Sequence, residues 1–175
     1  MVELVPLLSP ADCSAFLKSA RASAAWRPAP IYLTDAPLLN EAVRRAALLH
    51  EEALAHELDA LCASVKARAV EVARRRCGAE LDAGEIQLVR YPPGGFFYTH
   101  QDATASPKEW RKLSFVVYLN DDFEGGTTRF PELGTDVQPR AGYALIFPPH
   151  HAHAAEPVAS GEKFVLTFWL GRDTR

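Results

Sequence analysis

The chain has 175 residues, 48% of them hydrophobic and 23% charged, with a formal net charge of −3. That length suffices for one domain with a proper core, and the balance is that of a globular protein rather than a disordered one. A mildly acidic chain without a basic run excludes nucleic acid as the expected main partner, and no apolar run approaches the roughly 20 residues of a membrane span.

The first residues, MVELVPLLSP, lack both the basic region and the long apolar stretch of a signal peptide. The cysteines Cys13, Cys62 and Cys77 are odd in number and show no paired spacing for a zinc site or a disulfide framework. A reduced, cytoplasmic protein is expected. From Leu8 to about Cys77 the chain is rich in alanine and leucine and reads helical. Ser9 is placed as an N-cap, with Pro10 at the first helical position and Asp12 in the first turn. Cys13, Phe16, Leu17 and Ala20 then recur at helical spacing. After a loop with Pro28, Pro30 and Pro37, the stretch from Leu38 to Cys77 predicts one long helix or two packed ones, closing at Gly78.

From Ile86 onward the chain breaks into short β-branched and aromatic runs punctuated by glycine and proline. IQLVRY, FFYTH, LSFVVYLN, TTRFPE, TDVQP, YALIFP, HAHAAEP and KFVLTFWL give eight strand candidates. Their spacing predicts a sandwich or jelly roll. The expected fold class is α+β, with a double-stranded β-helix (jelly roll) core and N-terminal helices packed on one sheet. A single domain over 1–175 is expected, with 1–85 as mainly helical support and 86–171 as the jelly-roll core.

Within the FFYTH run and just after it, His100 and Asp102 are separated by one residue. Alternate side chains of a strand share a face, so an extended chain aims both at one spot. A short motif of this kind is by itself often only a polar surface strand. A third ligand has to come from a distant strand, and His150, His151 and His153 are the candidates. Two imidazoles and a carboxylate on one face of an octahedral metal leave three positions open, as non-haem Fe(II) oxygenases require.

The segments RYPPGGFFYTHQD, RKLSFVVYLNDDFEGGTTRFPE and IFPPHHAHAAEPVASGEKFVLTFW resemble the Fe(II)- and 2-oxoglutarate-dependent dioxygenases, especially their prolyl 4-hydroxylase branch. The resemblance covers Ile86 to about Gly171, with a weaker echo in LSPADC. Tyr91 precedes His100 by nine residues, Thr128 closes Gly125-Gly126-Thr127-Thr128, and Lys163 follows His153 by ten. The resemblance implies that His100, Asp102 and His153 hold Fe(II), which selects His153 over its neighbours and leaves His150 and His151 as rim residues. It implies that Lys163 pairs with the distal carboxylate of 2-oxoglutarate, that Tyr91 and Thr128 add hydrogen bonds there, and that Trp169 lines the pocket. Arg111 matches a basic residue that holds peptide substrates. The branch commonly carries tyrosine three residues before the first metal histidine; that place is Phe97 here, with Tyr98 beside it, so both become candidate substrate contacts.

The implied reaction uses O2 and 2-oxoglutarate to hydroxylate an unactivated C–H bond, with succinate and CO2 as coproducts and ascorbate as a stimulant. A prolyl peptide or a small amino-acid-like molecule is the expected substrate, and DATASPKEWRK the expected substrate loop. Two rivals share the metal set. A zinc-dependent hydrolase can use two histidines and a carboxylate, and a non-catalytic metal-binding jelly roll can act as a sensor or interaction module. The hydrolase leaves Lys163, Tyr91 and Thr128 without a task. A lysine entering an apolar strand is costly unless an anion meets it.

Overall fold

The first helix, α1 (Pro10–Ala22), starts where the sequence places it. The Ser9 hydroxyl accepts from the Asp12 amide, the Asp12 carboxylate accepts from the Ser9 amide, and Pro10 occupies the first turn. This reciprocal pair satisfies two amides that the first turn would leave bare. The protein is described from a computed structural model covering residues 2–32, 37–78, 80–103 and 110–172. The second helix, α2 (Asp59–Cys77), ends at Gly78, whose φ of 62° suits a left-handed cap.

Strands make up most of the remaining regular structure. Ahead of α2 lie β1 (Glu3–Pro6), β2 (Arg27–Pro28), β3 (Ile31–Tyr32), β4 (Pro37–Leu38), β5 (Arg44–Arg45) and β6 (Ala47–His50). After it come β7 (Asp82–Ala83), β8 (Gln87–Tyr91), β9 (Phe96–His100), β10 (Arg111–Tyr118), β11 (Glu124–Gly125) and β12 (Thr128–Phe130). The chain closes with β13 (Thr135–Val137), β14 (Tyr143–Phe147), β15 (His153–Ala155), β16 (Val158–Ser160) and β17 (Lys163–Gly171). The larger sheet has the order β1-β14-β10-β17-β8-β6-β2, with β7 also on β17, and the smaller one β13-β12-β15-β9-β5. Every described pairing is antiparallel.

Period-2 side-chain alternation divides the core in two. On one face of the larger sheet, Leu88, Phe115, Val117, Ile146, Leu166 and Phe168 share a buried cluster with Phe16 and Ala20 of α1 and Cys62, Val65 and Ala69 of α2. On the other, Val89, Tyr91, Tyr118, Leu145, Phe147 and Val165 join Phe130 of the smaller sheet and Val158. Strands buried on both faces read as continuous apolar runs such as FVVYL, and that is why these runs were legible. All eight predicted runs contain strands: FFYTH is matched in full, β17 runs one residue past KFVLTFWL, β10 starts two residues before LSFVVYLN, and the other runs are shortened.

The N-terminal half corrects one expectation. The predicted helix from Leu38 begins only at Asp59, and 1–85 holds strands β1–β7 as well as the two helices. Arg44 and Arg45 pair with Phe97 and Phe96, and Ala47–His50 pairs with Gln87–Arg90. Ladder bonds to two strands that need partners outweigh the helix preference of an Ala/Leu stretch, a weak prior of under about 1 kcal/mol per residue. Cys13 and Cys62 are buried free thiols, and Cys77 is exposed and free. No described helix is long and apolar enough to cross a membrane.

Ser9→Ala is expected to lower stability by about 1 kcal/mol through loss of the cap. Urea unfolding followed by far-UV circular dichroism should show a lower midpoint with an unchanged slope.

Candidate active site

His100 ends β9, His153 opens β15, and the two are direct partners in the antiparallel ladder. Their imidazole centroids lie 4.3 Å apart. Asp102 does not share the strand as expected; β9 stops at His100, and the Asp102 and Ala103 amides both donate to the Pro149 carbonyl, at 2.8 and 3.2 Å. That clamp joins the segment after β9 to the turn before β15 and delivers the carboxylate to the two rings. Ligand atoms of His100, Asp102 and His153 all lie within 4.8 Å of one another.

Hydrogen bonds set the tautomers. The Nδ1 of His100 lies 2.8 Å from the Tyr98 carbonyl, and that of His153 lies 3.0 Å from the His151 carbonyl. A carbonyl only accepts, so each Nδ1 carries the hydrogen and each Nε2 turns a lone pair inward. The Nε2 atoms stand 3.6 Å (His100) and 3.8 Å (His153) from the Asp102 carboxylate oxygens. Burial, and then the His153 ring, push the His100 imidazole down to about 3. Burial works to raise the Asp102 carboxyl, but His153, His100, the Ser114 hydroxyl and the Trp169 indole outweigh it and hold it below the usual range. Ser114 Oγ donates to Asp102 at 2.7 Å. Two ring nitrogens and one carboxylate oxygen are a donor set that fits a divalent transition metal.

Aromatic rings shield these donors. Phe97 stacks on His100 at 3.6 Å between centroids, and Phe147 meets His153 edge-on at 4.5 Å.

Lys163 opens β17 opposite Tyr91 and is only 2% exposed. Its ammonium donates to the Gly126 carbonyl at 2.5 Å and lies 5.3 and 5.5 Å from the Tyr91 and Tyr118 ring centroids. Among the described residues no carboxylate forms an ion pair with it. Burial alone pulls it down to about 7. The Tyr118 and Thr128 hydroxyls are 2.8 Å apart beside it. Gly126 is required at its place: with φ of 64°, an added Cβ would sit 2.9 Å from Phe123 and 3.2 Å from Lys163. A buried cation with ammonium protons to spare, beside two tyrosine rings, fits an anionic ligand group.

The remaining predicted residues divide. The Arg111 guanidinium stacks on Trp169 at 3.5 Å from its centroid and donates to the Asp102 carbonyl at 2.9 Å. Trp169 thus sits beside Asp102, six residues along β17 from Lys163. Tyr98 is 60% exposed, with its ring 4.8 Å from Phe96. The His150 and His151 rings lie 4.9 Å apart at a tilt, outside the three-ligand group. Of the expected substrate loop, residues 104–109 lie outside the described residues.

Sequence reasoning missed Ser114, Tyr118 and Arg44. Ser114 had a signal, a lone hydroxyl in an otherwise apolar strand. Arg44, whose guanidinium lies 4.5 Å over the Phe97 ring, had none once its segment was read as helix.

Residues 86–171 match the sequence profile of the 2OG-Fe(II) oxygenase superfamily. This segment belongs to that superfamily. A putative prolyl 4-hydroxylase of Acanthamoeba polyphaga mimivirus is 32% identical over 109 residues, 51% of this chain and 45% of that one. The alpha-1 subunit of chicken (Gallus gallus) prolyl 4-hydroxylase is 33% identical over 106 residues, 50% of this chain and 20% of the subunit. The chain therefore spans less than half the length of these curated relatives. Among solved structures, a Pseudomonas putida prolyl-4-hydroxylase superposes with a TM-score of 0.78 at 24% identity, covering 98% of this chain and 92% of that one. A Trichoplax adhaerens prolyl hydroxylase bound to a hypoxia inducible factor peptide fragment gives a TM-score of 0.79 at 14% identity, covering 97% and 83%. The mostly antiparallel fold with two helices is thus that of 2OG-Fe(II) oxygenases, and the segment resembles their prolyl hydroxylase branch.

Ser114→Ala removes the hydroxyl that orients the Asp102 carboxylate. Affinity for a divalent metal at the three-residue cluster is expected to fall about 10–100-fold, measured by anaerobic titration with Fe(II) or with Mn(II).

Proposed function

We propose that the protein is an Fe(II)- and 2-oxoglutarate-dependent hydroxylase. The observation that carries this reading is the coexistence of two sites: a His-Asp-His cluster within 4.8 Å at the smaller sheet and, on β17 of the larger sheet, a buried Lys163 with no carboxylate partner among the described residues. A zinc hydrolase or a non-catalytic metal module explains the first and leaves the cost of the second without a return. The core is read as a double-stranded β-helix backed by α1 and α2, and 1–175 as one domain.

In this reading His100, Asp102 and His153 hold Fe(II) by two Nε2 atoms and a carboxylate oxygen. Lys163 binds the distal carboxylate of 2-oxoglutarate, with Thr128 and Tyr91 as hydrogen-bonding neighbours and Tyr118 holding the Thr128 hydroxyl. Trp169 closes the wall next to Asp102. Bound iron and 2-oxoglutarate supply the oxidising power from O2, releasing succinate and CO2 and leaving a hydroxyl on the substrate. The chain's own work is to fix donors in their reactive tautomers, to keep water out with Phe97, Phe130 and Phe147, and to keep coordination positions open. Ascorbate would act on the iron rather than on any residue here.

A prolyl residue in a peptide, or a small amino-acid-like molecule, is the proposed substrate. Tyr98 and Phe97 at the β9 edge provide substrate contacts, and Arg111 contributes by holding the Asp102 carbonyl as well as by its charge.

The deciding experiment incubates the anaerobically purified, iron-loaded protein with 2-oxoglutarate, O2 and candidate peptides. Stoichiometric succinate with a one-oxygen mass gain in the peptide is the expected result. His100→Ala, Asp102→Ala and His153→Ala should abolish both, and His151→Ala should keep most activity. Iron binding lost in His151→Ala but kept in His153→Ala would overturn the ligand set.

Lys163→Ala is expected to keep iron and weaken 2-oxoglutarate binding about a hundredfold or more, since breaking a buried ion pair costs about 3–5 kcal/mol. In the free protein the ammonium loses its proton as pH rises through about 7. Binding an anion favours the charged form, so 2-oxoglutarate affinity should fall from pH 6.5 to pH 8.5. Binding at the higher pH should take up a proton. Calorimetry in buffers of different ionisation enthalpy, without oxygen, reads both effects.

A further inference from the structure

A second concave site lies outside the metal centre. Between β2, the segment leading into β5, and the end of β8 there is a cavity of about 360 Å³. Among the described residues its lining includes four arginines, Arg27, Arg44, Arg45 and Arg90, against one carboxylate residue, Glu41, with Trp26 on the apolar side. Four like charges around one cavity are unexpected in a chain of net charge −3. Like charges so placed repel each other unless an anion offsets them.

Their hydrogen bonding leaves the guanidiniums underused. Arg44 donates to the Pro30 carbonyl at 2.8 Å and also interacts with the Tyr91 hydroxyl, while Arg27 donates to the Trp26 carbonyl, at 3.1 Å. Arg90 lies over the Trp26 ring at 5.0 Å and reaches the Glu162 carboxylate only at 3.8 Å. The Nε atoms of Arg44 and Arg90 are buried and have no hydrogen-bond partner among the described residues. Arginine forks of this kind match carboxylates in two-point contacts better than any other side chain does.

The cavity is also tied to the metal centre. Arg44 is the ladder partner of Phe97 on β9, its guanidinium lies over the Phe97 ring, and Phe97 in turn stacks on His100. Phe97 and His100 are three residues apart across a bulge in β9, where the register against β15 shifts, so the backbone between them is shorter than the roughly 10 Å of a regular extended run. An extended polypeptide with one residue at the metal would reach the cavity within about three or four residues.

We propose that this cavity is a carboxylate-binding subsite, separate from the Lys163 pocket, that docks an acidic side chain of a polypeptide substrate a few residues from the position of reaction. A free dicarboxylate carries the same chemistry, and the test distinguishes the two sources. The substrate role rests on the hydroxylase reading, but the binding test needs no turnover and so stands or falls independently of it.

The test is calorimetry on the full chain loaded with Fe(II) in anaerobic buffer, with a capped tetraglutamate peptide in one arm and glutarate in the other. The Arg27→Gln/Arg45→Gln variant, which leaves Arg44 and the metal centre untouched, should bind tetraglutamate roughly tenfold more weakly. Binding to the unaltered chain should weaken as salt rises. Lys163→Met should leave tetraglutamate binding unchanged. Tetraglutamate binding well above that of glutarate supports the polypeptide source. Equal, arginine-dependent binding of glutarate supports the carboxylate site and overturns the docking of a polypeptide. No binding, or binding insensitive to the double substitution, or binding lost in Lys163→Met instead, overturns the subsite. Circular dichroism of the double variant separates lost binding from lost folding.

Discussion

The direct pairing of His100 with His153 across the β9–β15 ladder, locked by the Asp102 amide on the Pro149 carbonyl, is the constraint on which the centre depends. Each histidine uses its Nδ1 hydrogen on a backbone carbonyl two residues earlier. Both rings therefore owe their orientation to main-chain geometry, which side-chain disorder cannot easily undo. Burying the Asp102 carboxylate is tolerable because the Ser114 hydroxyl and the two imidazoles meet it. Such a cluster is poised for a cation, and folding has already met the cost of assembling it.

Lys163 extends the same logic along β17. Burial disfavours its charge, yet the strand positions it beside two tyrosines and the Gly126 carbonyl rather than letting it reach solvent. The large sheet makes this possible. Its β17 is hydrogen-bonded on both sides, to β10 and to β8, so the backbone under Lys163 and Trp169 is held centrally and cannot drift. One face of that strand supports the site while the other, through Phe164, Leu166 and Phe168, is buried with the helices.

Arg111 and Arg44 show how charged residues serve from outside. Arg111 joins Trp169 to the Asp102 carbonyl, fixing the loop that bears the carboxylate. Arg44 covers the outer face of Phe97, so the ring on His100 is sandwiched between a cation and an imidazole. A substrate or ligand that engages either guanidinium would act on the metal centre through a single intervening ring or carbonyl.

The strands of 86–171 were legible because two-sided burial writes apolar runs, and the helix start at Ser9 because capping is a local bargain among adjacent residues. His100, Asp102, His153 and Lys163 were legible through the resemblance of their surrounding motifs to the 2OG-Fe(II) oxygenases, because a His-x-Asp pair alone is often only a polar surface strand and three histidines competed for the third place. Other features were decided only by tertiary structure. Arg44–Arg45 and Ala47–His50 became strands because β9 and β8 needed partners there, a demand made by residues from 37 (His50 to Gln87) to 53 (Arg44 to Phe97) positions away. Asp102 reached the rings from a bend rather than a strand because Pro149 supplied its hydrogen bond across the fold. The pairing of Ser114 with Asp102, of Tyr118 with Thr128, and the gathering of four arginines around one cavity had no local trace. Such contacts join side chains from separate strands, and only the register between those strands brings them within bonding distance.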